Sequence, residues 1–153
     1  MITTQVAIQP IPYLHFGGNC KDVIEFYKQV LNAKLKSQTT IGEMPDCGGD
    51  QSSGQANPMA NEDPNLIVNA QLELPGGGQL YLGDIPSFMP HSKITGLRLT
   101  LNYPTAEEGE KVFRSLAAGG EVTMDWAPTF WAEKFGMVTD KFGVPWLING
   151  NLR

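Results

Sequence analysis

Cysteine and histidine are scarce in this chain of 153 residues, which has two of each: Cys20, Cys47, His15 and His91. Two cysteines make neither a disulfide framework nor a CxxC site, so free thiols in a reducing compartment are expected. Basic charge is also in short supply. The 11 Lys and Arg stand against 16 Asp and Glu, a net charge of −5. That balance argues against nucleic acid, where a basic patch supplies most of the affinity, and against an anionic membrane surface. Long apolar runs are missing, and no stretch approaches the roughly 20 residues that span a bilayer. Met1 to Gln9 has neither the basic start nor the apolar run of a signal peptide. The expected location is the cytoplasm. No Ser–His–Asp order, P-loop, Rossmann glycine pattern or zinc finger is visible. The "PGGGQ" segment, Pro75 to Gln79, lacks the downstream helix and Lys of a phosphate loop and reads as a hairpin turn.

What is present describes a globular chain: 41% hydrophobic residues and 18% charged. The length suits one domain or two fused half-size modules, burying roughly two-thirds of the unfolded surface. Ile11 to Gly18 reads as a strand entering a glycine turn, with Asn19 and Asp22 as a helix cap. Val23, Ile24, Tyr27, Val30 and Leu31 follow at helical spacing, and Asn32 is a left-handed stop. Ala33 to Thr40 reads as a strand. Met44 to Pro64 reads as a long loop rich in Gly, Pro, Ser, Asn and Asp, a possible lid. From Ile67 to Leu74, Val68, Ala70, Leu72 and Leu74 alternate with Asn69, Gln71 and Glu73. Gln79 to Asp84 is the hairpin partner.

The second half repeats this order. Leu97, Leu99 and Leu101 suit a face covered by a helix, leaving Arg98, Thr100 and Asn102 for the other. Thr105 and Glu108 form a capping box. Val112, Phe113, Leu116 and Ala117 make the helical stripe, and Gly119-Gly120 ends it. Strands follow at Glu121 to Trp126, Phe135 to Thr139 and Val144 to Asn149. Asn19 is as far from Thr105 as Tyr27 is from Phe113, so strand–helix–strand–strand–strand occurs twice.

Three segments carry a family resemblance: "PYLHFGGNCKDVIEFY" (Pro12 to Tyr27), "IGEMPDC" (Ile41 to Cys47) and "PTFWAEKFGMVTDKFGVPWLIN" (Pro128 to Asn149). With the duplicated unit, they resemble the PhnB-like family of the vicinal oxygen chelate (glyoxalase/bleomycin resistance/dioxygenase) superfamily. The resemblance implies an α+β fold in which two βαβββ modules form a curved mixed sheet around a cleft. It implies a single domain over 1–153, made of module 10–85 and module 93–150, and a homodimer.

Metal-dependent relatives hold a divalent ion with His and Glu at four strand positions, leaving open sites for two substrate oxygens. Carried over by register, those positions fall near Pro12, Tyr81, Gly96 and Leu147. Proline, glycine and leucine have no ligating side chain, and Tyr81 could ligate only as a phenolate. His15, alternating with Leu14 and Phe16, is expected to point under the helix. His91, in "PSFMPHS", has no partner at a metal-like spacing. Asn69 stands where PhnB-like relatives often carry His. No metal and no other cofactor is therefore expected; the alternative is a divalent metal in a shifted site built from Glu43, Asp84 or Tyr81, serving a lyase, isomerase or dioxygenase.

The leading expectation is a small organic molecule bound in an aromatic-lined cleft, with contacts from Arg98, Thr100, Tyr81, Phe16, Trp131, Phe135 and Leu147. The planar fork of Arg98 suits a carboxylate or phosphate, or a salt bridge to Glu73. Glu43 could be a general base or a solvated loop carboxylate, and Asp84 an acid–base group or an Asx turn. Asp140 reads as a turn cap and Lys134 as a rim cation. Trp126, Phe130, Trp131, Phe135 and Trp146 divide between pocket and core packing. Cys20, at a helix start, could be reactive or simply packed.

Overall fold

Strand–helix–strand–strand–strand runs twice along the computed structural model, which describes residues 8–44 and 62–153. The chain divides into two compact units, Met1–His91 and Ser92–Arg153. In the first, β1 (Tyr13–Phe16), α1 (Cys20–Val30), β2 (Lys34–Thr40), β3 (Ile67–Glu73) and β4 (Gln79–Asp84) form a sheet of order β1-β4-β3-β2. In the second, β5 (Leu99–Tyr103), α2 (Ala106–Ala117), β6 (Glu121–Ala127), β7 (Ala132–Thr139) and β8 (Pro145–Leu152) repeat it as β5-β8-β7-β6. The first strand of each unit runs parallel to the last, and the other pairs are antiparallel. A parallel pair needs a long crossover; here the helix and the two strands after it supply that length. The expected α+β fold of two βαβββ modules is the one observed. Most of the loop expected from Met44 to Pro64, with Cys47 and the end of "IGEMPDC", lies outside the described residues. Among the described residues no helix is long and apolar enough to cross a membrane.

In the first unit α1 lays Cys20, Val23, Ile24 and Tyr27 on the sheet. Leu14, Phe16, Ala70, Leu72, Leu80 and Leu82 meet it, each at most 3% exposed. Asn32, at φ 54, stops the helix as expected. Its start differs from expectation: the Asn19 side chain caps nothing. A carboxylate from the end of β4 takes that role. Asp84 Oδ1 accepts from the Gly18 and Cys20 backbone N–H groups, both at 3.0 Å, and Oδ2 accepts from Ile67 N–H at 3.0 Å. One buried side chain thus joins the N-terminus of α1 to the start of β3, and its charge suits the positive end of the helix. Burial, and secondarily the Asp84 charge, pushes the Cys20 thiol up to about 12.

In the second unit Thr105 caps α2 through Glu108 N–H at 3.1 Å, as its T-x-x-E spacing predicts. Here glycine sets the helix–sheet distance. A Cβ on Gly136 would stand 2.5 Å from the Phe113 ring, and one on Gly150 would stand 2.7 Å from Ala106 Cα. Trp126 packs on Phe113 with ring centroids 5.2 Å apart. A second buried carboxylate ties the β7–β8 turn. Asp140 Oδ1 accepts from Phe142 N–H and Val144 N–H, and Oδ2 accepts from the Trp146 indole at 2.9 Å.

Gly136→Ala should therefore overpack Phe113 and lower urea-unfolding stability by about 1–3 kcal/mol; unchanged stability would show that the contact yields freely. Asp84→Asn and Asp140→Asn each replace one acceptor by an NH2 facing a donor. Each should cost about 1–3 kcal/mol in the same measurement. Cys20 holds its proton more tightly folded than unfolded, so its contribution to stability is present below pH 9.0 and is lost as pH rises toward about 12. In a Cys47→Ser background, native protein at pH 8 should resist iodoacetamide and react only after unfolding; rapid native labelling would contradict this burial.

Candidate functional site

Successive strand residues point to opposite sides of a sheet. In the second unit the side facing α2 is set by Gly136 against Phe113 and by Gly150 against Ala106. Gly136 pairs with Ile148, and Val138 with Trp146, so these residues lie toward the helix. The intervening residues form the open face. Leu147 pairs with Thr100 on one side and Met137 on the other, and Asn149 pairs with Asn102 and Phe135. Trp131, just before β7, meets Phe135 edge to face at 5.1 Å and donates its indole N–H to Asn149 Oδ1 at 3.0 Å. Phe130 stands edge to face against Trp131 and is 88% exposed. Four of the expected contacts, Thr100, Trp131, Phe135 and Leu147, thus share one face.

The first unit's open face has a different chemistry. Tyr13 pairs with Tyr81, and Tyr81 with Gln71. Tyr13 stacks on His15 at 4.6 Å, meets Tyr81 edge to face at 6.0 Å, and donates its hydroxyl to the Val68 carbonyl. Asn69 and Gln71 are joined by an amide hydrogen bond at 3.3 Å. Tyr81, half-buried, donates to Gln79 Oε1 at 3.4 Å.

Several expectations need correction. His15 does not point under the helix: Leu14 and Phe16 occupy that side, and His15 is exposed on Tyr13. Phe16 is 3% exposed on the α1 side, away from the face that carries Tyr81. Both errors are one parity slip in a four-residue strand. Asp84 is buried and makes long-range contacts in place of an Asx turn; backbone donors hold both its oxygens. Arg98 and Leu97 precede β5 and are exposed, because pairing with β8 begins only at Leu99. Glu73 pairs with Lys36 at 3.4 Å, not with Arg98. Pro12 and Gly96 also lie before their strands; Tyr13 and Thr100 stand opposite Tyr81 and Leu147. Trp126 and Trp146 pack on the α2 side. Lys134, paired with Gly150, is half-buried on that same side. Glu43 is exposed in a 3-10 turn over Ile41–Glu43 and accepts from Thr40 Oγ1 at 2.9 Å. His91 is exposed, its ring beside Gly17.

Met137 and Tyr13 were not anticipated as part of these faces. Asn102 stands on the side away from the helix, as its alternation with Leu99 and Leu101 predicts, and the alternation about Trp146 places Asn149 beside it.

Among the described residues the donors do not fit a divalent ion held by several imidazoles and carboxylates. The second unit's open face offers an alcohol, two amides and one carboxylate, Glu133, which accepts from Asn151 Nδ2 at 2.8 Å; the first offers one imidazole, two phenols, two amides and one carboxylate, Glu73, which pairs with Lys36. Among the described residues no three His, Cys, Asp or Glu side chains gather where they could share a cation. Asp84 faces α1 while Tyr81 faces away from it, so these two do not converge.

The Glyoxalase/Bleomycin resistance protein/Dioxygenase superfamily model matches residues 12–148. Protein YjdN of Escherichia coli is 40% identical over 138 residues, which are 90% of this chain and 92% of YjdN. The crystal structure of protein PA1353 from Pseudomonas aeruginosa has a TM-score of 0.77 at 34% identity, covering 94% of this chain and 97% of PA1353. The PhnB protein from Bacillus cereus has a TM-score of 0.69 at 22% identity, covering 93% and 98% respectively, and shares the fold. A duplicated βαβββ unit matched along nearly all its length places this chain in the glyoxalase/bleomycin resistance protein/dioxygenase superfamily.

Proposed function

We propose that this protein binds a small organic molecule on the aromatic open face of the β5-β8-β7 strands and does so without a tightly held divalent metal. One observation carries the reading: Trp131, Leu147 and Met137, backed by the buried Phe135, bring apolar surface to the side away from α2, around a small polar centre at Asn149. Mostly apolar lining with a few fixed polar groups is the usual make-up of a concave ligand site. The aromatic rings supply area with few rotors to freeze. Arg98 is exposed just before β5 and forms no ion pair among the described residues. It is a cation available to an anionic ligand. The metal-free part of the reading rests on the donor chemistry of both open faces. A homodimer in the cytoplasm belongs to the same proposal.

A panel of small aromatic acids and ketones should raise the melting temperature of the chain. A ligand at 100 times its Kd adds about 2.7 kcal/mol. The shift should survive EDTA, shrink in Trp131→Ala, and shrink for the acids alone in Arg98→Ala. Protein purified without chelator should contain no stoichiometric nickel, zinc, manganese or iron. A stoichiometric metal whose removal abolishes binding would overturn the metal-free reading, and a panel without any shift would overturn binding itself.

A further inference from the structure

The polar centre of this face has a direction. Asn149 is 6% exposed, and its amide is engaged at both ends. The Trp131 indole donates to Asn149 Oδ1 at 3.0 Å, and Asn149 Nδ2 donates to Asn102 Oδ1 at 2.9 Å. An indole N–H can only donate, whereas a carboxamide has an acceptor at one end and two donors at the other. Trp131 therefore decides which way round Asn149 sits. Asn149 then presents its NH2 to Asn102 and demands an acceptor there. Turning Asn102 round would set NH2 against NH2. Turning both amides would set NH2 against the indole N–H. Either change leaves part-buried donors unpaired, at the cost of the hydrogen bonds lost. The series ends on the NH2 of Asn102, which is exposed and has no partner among the described residues.

Resting on the binding reading above, we infer that Asn102 is a specificity-determining donor, selecting ligands that bring an acceptor oxygen, carbonyl or carboxylate, on an apolar body of about aromatic size. Its side chain shares the face away from α2 with the half-buried Leu147 and Met137, which would take the apolar part over the buried Phe135. Thr100, two residues earlier on that face, both donates and accepts and so does not discriminate. An amine arriving at the Asn102 NH2 meets a donor and is left only the second lone pair of Asn102 Oδ1, which already accepts from Asn149, so it is the poorer match.

Asn102→Asp tests this with little change of shape. The carboxylate still accepts from Asn149 Nδ2 but now shows an acceptor outward. Affinities of the full chain for phenylacetate, benzyl methyl ketone and phenethylamine would be measured by NMR titration, following the Trp131 indole N–H resonance assigned by its loss in Trp131→Phe. The wild type should favour the ketone and the acid over the amine by about tenfold, the scale of one hydrogen bond. In Asn102→Asp the ketone should weaken by about tenfold while the amine tightens. The ketone is neutral, so its loss cannot be charge repulsion; Asn102→Leu should lose it as well, and the acid separates a carboxylate preference from a carbonyl one. Trp131→Phe, read instead from the side-chain amide resonances of Asn102 and Asn149, releases both amides and should bring ketone and amine toward equal affinity. Ketone binding equal in the wild type, Asn102→Asp and Asn102→Leu would overturn this inference and leave the binding reading standing. If none of the three probes moves the indole resonance of the wild type, both fall.

Discussion

Each four-stranded sheet has a single helix of its own, and one helix covers one face. That constraint decides the role of nearly every strand residue. In the first unit α1 claims Leu14, Phe16, Ala70, Leu72, Leu80 and Leu82, all at most 3% exposed. In the second, α2 claims Trp146, Ile148, Gly136 and Val138. Because alternate side chains point to opposite sides, the same choice turns Tyr13, Tyr81 and Gln71 away from the helix in one sheet and Thr100, Leu147, Phe135 and Asn149 in the other, where Phe135 and Asn149 are still buried. The candidate site is what remains after each helix has been seated.

The two units seat their helices by different chemistry on the same topology. The first uses a buried carboxylate: Asp84 supplies the cap that Asn19 does not and anchors β3 as well. The second caps α2 with its own Thr105 and brings the helix close by leaving out side chains at Gly136 and Gly150. Its buried carboxylate, Asp140, moves to the β7–β8 turn and fixes the Trp146 ring beneath the helix. With Trp146 held there, Leu147 and Asn149 must face away from α2. The open faces have diverged too: one carries phenols, an imidazole and amides, the other phenyl, indole and thioether groups around a short series of amides. Among the described residues neither gathers the three or more imidazoles and carboxylates that a chelated cation needs.

Where two independent features agreed, the sequence was readable. The alternation from Ile67 to Leu74 placed Ala70 and Leu72 inside because apolar and polar residues alternate there without a break. The T-x-x-E box placed the start of α2 because its donor and acceptor are local. The β8 orientation was readable because Trp146 and Ile148 alternate with Leu147 and Asn149. It failed where the apolar pattern is ambiguous. Tyr13, Leu14, His15 and Phe16 are all aromatic or aliphatic, so either parity looks amphipathic, and His15 and Phe16 exchange roles. It failed again at Leu97 and Arg98, which continue the alternation of β5 although no partner strand reaches them.

The sequence by itself determined the repeated order of strands and helices, the family, and the residue types available for chemistry. These follow from local periodicity, capping and motif, which need only neighbours a few positions away. Tertiary structure alone decided that Asp84 serves the N-terminus of α1, that Phe16 is core and His15 is not, and that Trp131, Asn149 and Asn102 join into one directed series. Each of those facts depends on groups far apart in the chain, such as Asn102 and Asn149, 47 positions apart. A hydrogen bond of that kind exists only once strand register has brought its donor and acceptor within about 3 Å.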